Sequence, residues 1–197
     1  MIYLEFIDWD RSIPVDIFRL LSKQDQWESK EDRKVINIDR HKGIGGHPTY
    51  LSGWQIRDLA RLDEWESHFK SAEAAVDVAE KATFQAMDFR YCGLYDELKL
   101  TDLPDPNLHA VEYFDPAPDM KDQEFMSGLE RRESDEEVGN LAVVLRRVGM
   151  LGPDPCAVSI WTFPDFSSIE SFARRPVTAN ARPASTGLFK NIGFELM

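Results

Sequence analysis

Residues 2–8 (IYLEFID) are rich in β-branched and aromatic side chains, which predicts a strand. Over residues 15–27 the spacing becomes helical, carried by Val15, Phe18 and Leu21. Residues 35–41 and 50–56 read as two strands flanking KGIGGHP. Glycine supplies turn geometry there and proline limits pairing, so this stretch predicts a hairpin loop. Leu62, Trp65, Phe69, Ala72, Val76 and Ala79 then recur at three and four residues, one face of a long amphipathic helix. Residues 89–95 predict a closing strand. After residues 101–107, which contain Pro104 and Pro106 and predict a linker, the order returns. Strand 109–115, helix 123–132, strands 141–148 and 156–163, helix 168–175 and strand 187–196 follow.

The second series copies the first. A shift of 107 lays RHKGIGGHPTYLSGWQIRD (40–58) over RVGMLGPDPCAVSIWTFPD (147–165) without a gap. Six of nineteen pairs are identical: Arg40/Arg147, Gly45/Gly152, Pro48/Pro155, Ser52/Ser159, Trp54/Trp161 and Asp58/Asp165. The same shift sets LEFID (4–8) on VEYFD (111–115), matching Glu5 with Glu112 and Asp8 with Asp115. Near the ends a shift of 100 lays FRYCGLY from Phe89 over FKNIGFE from Phe189. Each copy is then a βαββαβ unit, the ferredoxin-like arrangement with both helices on one face of an antiparallel sheet. The strands around Trp54 and Trp161 carry little charge on either face, which predicts sheets covered on both sides. Two such sheets in one chain can cover each other.

With 35 acidic and 23 basic residues the net charge is −12, a surface that repels phosphate backbones and anionic lipid. Nucleic-acid and membrane partners are therefore not expected. Two cysteines, Cys92 and Cys156, make neither a disulfide framework nor a four-ligand zinc site, and both are expected to be buried strand residues among apolar neighbours. The opening MIYLEFIDWD lacks the basic start and apolar run of a signal peptide, so the expected compartment is the cytoplasm.

The duplicated topology and strand patterns resemble the dimeric α+β barrel superfamily in tandem-fused form, with relatives of the antibiotic monooxygenase and EthD-like kinds. The fold class expected is α+β: two ferredoxin-like repeats, 1–100 and 108–197, joined by linker 101–107, whose sheets pack as an intramolecular dimeric α+β barrel. The resemblance implies a small, often aromatic ligand, and covers quinone-forming monooxygenases, polyketide cyclases, muconolactone isomerases and haem-binding chlorite dismutases. The haem branch places its ligating histidine on a helix of the C-terminal repeat. This chain has only His109 there, at the start of a strand, so no cofactor is expected. A single chain then supplies both halves of the barrel, as a pseudo-twofold monomer or within a homodimer.

Candidate chemistry comes from where the copies differ. Under the 107 shift His41 meets Val148, His47 meets Asp154, Tyr50 meets Ala157 and Trp65 meets Phe172, and under the shift of 100 Tyr91 meets Asn191. A pocket in the N-terminal repeat is expected, walled by Trp54, Trp65 and Tyr91. His41 or His47 would move a proton, Tyr50 would bind a substrate oxygen, and Arg40 would stabilise developing negative charge. For Arg40 and Arg147 an alternative stands open, pairing with Glu5 and Glu112. The GIGG glycines lack the signature of a phosphate loop, and no metal site is expected because the histidine spacings of such sites are missing. The function expected is a cofactor-independent oxygenation, cyclisation or isomerisation of a small aromatic or polyketide-like compound. The alternative is a noncatalytic small-molecule-binding or stress-related barrel.

Overall fold

A computed structural model describes residues 1–10, 32–46, 48–72, 87–104, 108–133, 139–152, 154, 156–174 and 182–191. Its strands are β1 (Ile2–Trp9), β2 (Arg33–Arg40), β3 (Tyr50–Gln55), β4 (Met87–Leu100), β5 (Leu108–Phe114), β6 (Asn140–Arg147), β7 (Ala157–Phe163) and β8 (Ser185–Asn191). Its helices are α1 (Ala60–Ala72), α2 (Asp122–Glu133) and α3 (Phe166–Arg174). The helix expected over 15–27 lies outside the described residues, as do the ends of the helix expected to reach Ala79 and of the strand expected to reach Leu196.

All eight strands pair antiparallel in one closed barrel of order β1-β3-β2-β8-β5-β7-β6-β4. The fold is α+β. Strand alternation decides what enters the barrel. Ile2, Leu4, Phe6, Ile36, Ile38, Leu51, Tyr95, Val111, Tyr113, Leu145, Val158, Ile160 and Phe189 fill the interior as one buried cluster. Intervening side chains face outward. On the second half's outer face, Trp161, Phe163, Val144 and Leu188 pack beneath Phe125 and Leu129 of α2 and Phe172 of α3. The expectation that neither face is left to solvent is met on this side by those two helices.

The registers explain why particular residues recur at 107. Glu5 pairs with Ser52 and Glu112 with Ser159. The irregularity in β2 between Lys34 and Ile36 has its counterpart in β6 between Leu141 and Val143. Asp8 accepts the backbone N–H of Thr49 at 3.0 Å, and Asp115 that of Cys156 at 3.2 Å. Asp58 and Asp165 accept N–H groups of Ala60 and Ser168 at the starts of α1 and α3, both as helix caps. Such side-chain-to-backbone bonds satisfy orphan donors, which makes these residues structural.

The hairpin loops lock each half to the other. His41 N–H donates to Leu188 O at 2.8 Å and Leu188 N–H to Ile44 O at 3.1 Å, while Val148 N–H donates to Leu94 O and Leu94 N–H to Leu151 O, both at 2.8 Å. At this crossing Gly45 has φ +106, and a Cβ there would lie 2.6 Å from the Gly187 Cα. The glycine-rich loop is thus a docking turn, in agreement with its reading as a turn.

One alignment needs correction. Gly93, Leu94 and Tyr95 lie opposite Leu4, Tyr3 and Ile2, and Gly187, Leu188 and Phe189 lie opposite Val111, Ala110 and His109. The equivalent triplets are therefore GLY and GLF, and Phe89 does not correspond to Phe189. Similarity of FRYCGLY to FKNIGFE misled because a strand's register is set by pairing with its neighbour, which a one-dimensional match does not see.

Candidate functional site

Two seams close the barrel, β4 against β6 and β2 against β8. Between β4 and β6, pairing runs through five residue pairs, from Tyr95–Arg147 to Leu100–Val143. Between β2 and β8 the pairs among the described residues are Ile38–Asn191, Asp39–Lys190 and Arg40–Phe189, Asn191 being the last described residue of β8. A cleft of about 290 Å³ opens there, lined by Arg33, Lys34, Val35, Asn37, Asp102, Leu103 and Asn191. This is near the lower end of small-ligand cavities. Among the described residues its lining carries two cations, Arg33 and Lys34, and one carboxylate, Asp102.

A hydrogen-bonded chain leads from the cleft onto the outer face of the barrel. Lys34 Nζ donates to Ser52 Oγ at 2.5 Å, and Ser52 Oγ donates to Glu5 Oε2. The register forces this row, since Glu5 lies opposite Ser52 on β3 while Lys34, at the β2 irregularity, lies opposite Trp54. Lys34 also sits 4.5 Å from the centroid of the Trp54 ring. Trp54 meets Trp65 edge-on at 5.3 Å, and Trp65 meets Tyr3 at 6.1 Å. The buried Trp65 indole N–H has no hydrogen-bond partner among the described residues. Burial, reinforced by a bond to Cys92, drives the Tyr3 hydroxyl pKa up, so Tyr3 stays protonated at neutral pH. Cys92, expected among apolar neighbours, is exposed, and Cys156 is half-buried.

Glu112, 107 residues after Glu5, is held by an ion pair. Arg132 grips Glu112 with two N–H groups at 2.8 and 2.9 Å, Trp161 Nε1 donates to the same carboxylate at 2.9 Å, and the guanidinium lies 4.3 Å from the Phe172 ring. Lys34 and Asn37 have apolar counterparts in Leu141 and Val144, both buried under the helices. The first half keeps polar groups where the second packs hydrocarbon.

Below the cleft, Asn191 joins the His109 Nε2 to the linker: Asn191 Oδ1 is 2.9 Å from Nε2, and Asn191 Nδ2 donates to Leu103 O at 3.2 Å. Burial lowers the His109 pKa from 6.5 to about 4, against the smaller opposing effect of Asn191. The ring is neutral at pH 7 in the folded chain. As pH falls from about 6.5 to about 4, the unfolded chain takes up a proton that the folded one refuses, so stability is lost, on the order of 3 kcal/mol when complete. Urea midpoints across that interval are expected to fall more steeply for the wild type than for His109→Gln. Parallel curves would contradict this assignment.

The residues expected to form the site are scattered. Trp54 and Trp65 do stand together. Tyr50 shares their face, but it is buried against Trp9 and its hydroxyl donates to Asn37 Oδ1 at 2.7 Å. Tyr91 lies opposite Phe6 beside the irregularity of β4 and is 56% exposed, and it is not packed with Trp54. Arg40 donates to the carbonyls of Gly45 and Gly46, and Arg147 to those of Gly149 and Gly152, so both brace their own hairpins and neither pairs with Glu5 or Glu112. His41 is buried 5.7 Å from the Phe166 ring of α3, just beyond the far end of β2 from the cleft, on the order of 20 Å away along the strand. His47 lies outside the described residues.

Arg33, Lys34, Asn37 and Asn191 were missed, although one signal pointed to two of them. Lys34 over Leu141 and Asn37 over Val144 are polar-for-apolar differences between the copies, the same kind of difference that singled out the histidines.

The molecule is thus an α+β protein built on a closed antiparallel barrel. A crystal structure of an anthrone oxidase-like protein is similar to it, with TM-score 0.53 and 10% identity over 96% of this chain and 90% of that one, a likeness of fold. No family model and no curated protein matches the chain. Among the described residues, no helix is long and apolar enough to cross a membrane.

Proposed function

We propose that this protein is a cofactor-independent enzyme that takes a proton from a small aromatic or polyketide-like compound bound at the β2–β8 cleft. Oxygenation, cyclisation and isomerisation of such compounds all start from the anion that this step creates. The observation that carries the reading is that Lys34 belongs both to the cleft wall and to the chain Lys34–Ser52–Glu5. Each donor in that chain points toward the carboxylate. Lys34 passes a proton through Ser52 to Glu5 and takes the ligand's in its place, leaving the ligand anion beside the restored ammonium and Arg33. This puts Lys34 in the role expected of His41 or His47.

The reading includes an architecture, two ferredoxin-like units at 1–100 and 108–197 fused through 101–107. In its support, β4-β1-β3-β2 and β8-β5-β7-β6 have the same internal order, and the pairs Ile7–Tyr50 and Phe114–Ala157 keep the 107 offset. Divergence of the fused copies accounts for a locked carboxylate at Glu112 and a relayed one at Glu5.

Anthrone is a suitable probe, because loss of its benzylic proton gives an enolate that dioxygen converts to anthraquinone and water without a cofactor. The wild-type protein is expected to accelerate anthraquinone formation above the buffer rate, followed by absorbance in air. Tight binding without acceleration is the result expected of the competing reading, a noncatalytic small-molecule-binding barrel, and would overturn this one.

A further inference from the structure

Taking the cleft as the ligand site proposed above, we infer that it selects compounds carrying a carboxylate, read by Arg33, with Asp102 as the resident anion that such a ligand displaces. Arg33 Nη1 and Asp102 Oδ1 are 3.9 Å apart, at the outer limit of an ion pair, with side chains 57% and 93% exposed. So long and wet a pair holds little energy and opens readily. The two residues come from different elements, β2 and the segment after β4, and both line the cleft. The Arg33 fork is suited to a planar carboxylate, which it can grip through two parallel N–H bonds at a shorter distance than Asp102 takes.

The remaining wall fits such a ligand. Lys34 adds a second positive charge, and Val35 and Leu103 offer apolar surface. Leu103 is fixed through its carbonyl, which accepts from Asn191, so the segment carrying Asp102 is tied to the cleft floor one residue away. Asp102 therefore stays close without closing the entrance. Among the described lining residues the balance of two cations and one carboxylate suits a monoanion, while a dianion meets the repulsion of Asp102.

Benzoate and its neutral isostere benzamide test the assignment by calorimetric titration of the full chain at low ionic strength. Benzoate is expected to bind at least about 10-fold more tightly than benzamide, a preference Arg33→Gln abolishes. Asp102→Asn is expected to tighten benzoate about 3-fold to 5-fold and leave benzamide unchanged, because it removes one like charge from the cleft. Both positions are exposed, and near-ultraviolet circular dichroism checks that the variants keep the fold. Equal affinity for the two probes, an unchanged preference in Arg33→Gln, or no benzoate binding by either the wild type or Asp102→Asn overturns the inference. Anthrone turnover without a benzoate preference would sink the carboxylate selection alone. A benzoate preference without turnover would leave it standing and sink the proton-transfer reading.

Discussion

Replacing Arg132 with leucine is expected to destabilise the protein by about 3–5 kcal/mol, read as a lowered urea midpoint with little change in slope. Glu112 is 2% exposed, and the two N–H groups of Arg132 supply the charge that balances it. Without them the carboxylate keeps the Trp161 indole N–H at 2.9 Å and the Ser159 hydroxyl at 3.3 Å, two neutral donors for a buried anion. The guanidinium also fills the space over Trp161 and Phe172, at 5.1 and 4.3 Å from their rings, and leucine replaces only part of that contact. The double variant Arg132→Leu, Glu112→Gln is expected to recover a large share of the loss, because it removes the stranded charge. A single-variant loss under about 1 kcal/mol would show that water reaches Glu112 and would contradict its dependence on Arg132.

At Glu5 the same kind of substitution is expected to act on rate. Glu5→Gln takes the terminal acceptor from the Lys34–Ser52–Glu5 chain while keeping its size, so anthrone turnover should fall about 10²-fold to 10⁴-fold. Lys34→Met should fall similarly. Ser52→Ala interrupts the chain between the two and should be nearly as slow. The loss should appear in kcat, with probe affinity changed little by Glu5→Gln, since Glu5 does not line the cleft. Turnover unchanged in Glu5→Gln would remove the relay.

The sequence was most informative where function is least. Positions recurring at 107, among them Asp8, Ser52, Trp54 and Asp58, hold the same strand pair or cap the same helix in both halves, so a linear comparison finds them. Strand parity was readable for Trp54 and Tyr50, which share a face. It was not readable for Tyr91, because β4 slips register between Phe6 and Ile7, and only the pairing with β1 shows where. The cleft is harder still. Its residues come from positions 33–37, 102–103 and 191, and they meet only because the barrel brings β8 beside β2. His41 looked like chemistry and is instead packed on Phe166, since a loop histidine beside glycines gives no sign of which half it will dock against.

Amide chemical shifts of the nitrogen-15-labelled chain, followed as benzoate is added, test the placement of the ligand site most directly. The largest changes are expected at Arg33 through Asn37, at Asp102 and Leu103, and at Asn191, with a smaller response at Ser52. Changes centred on His41 through Gly46 or around Tyr91, with the β2–β8 seam silent, would contradict it.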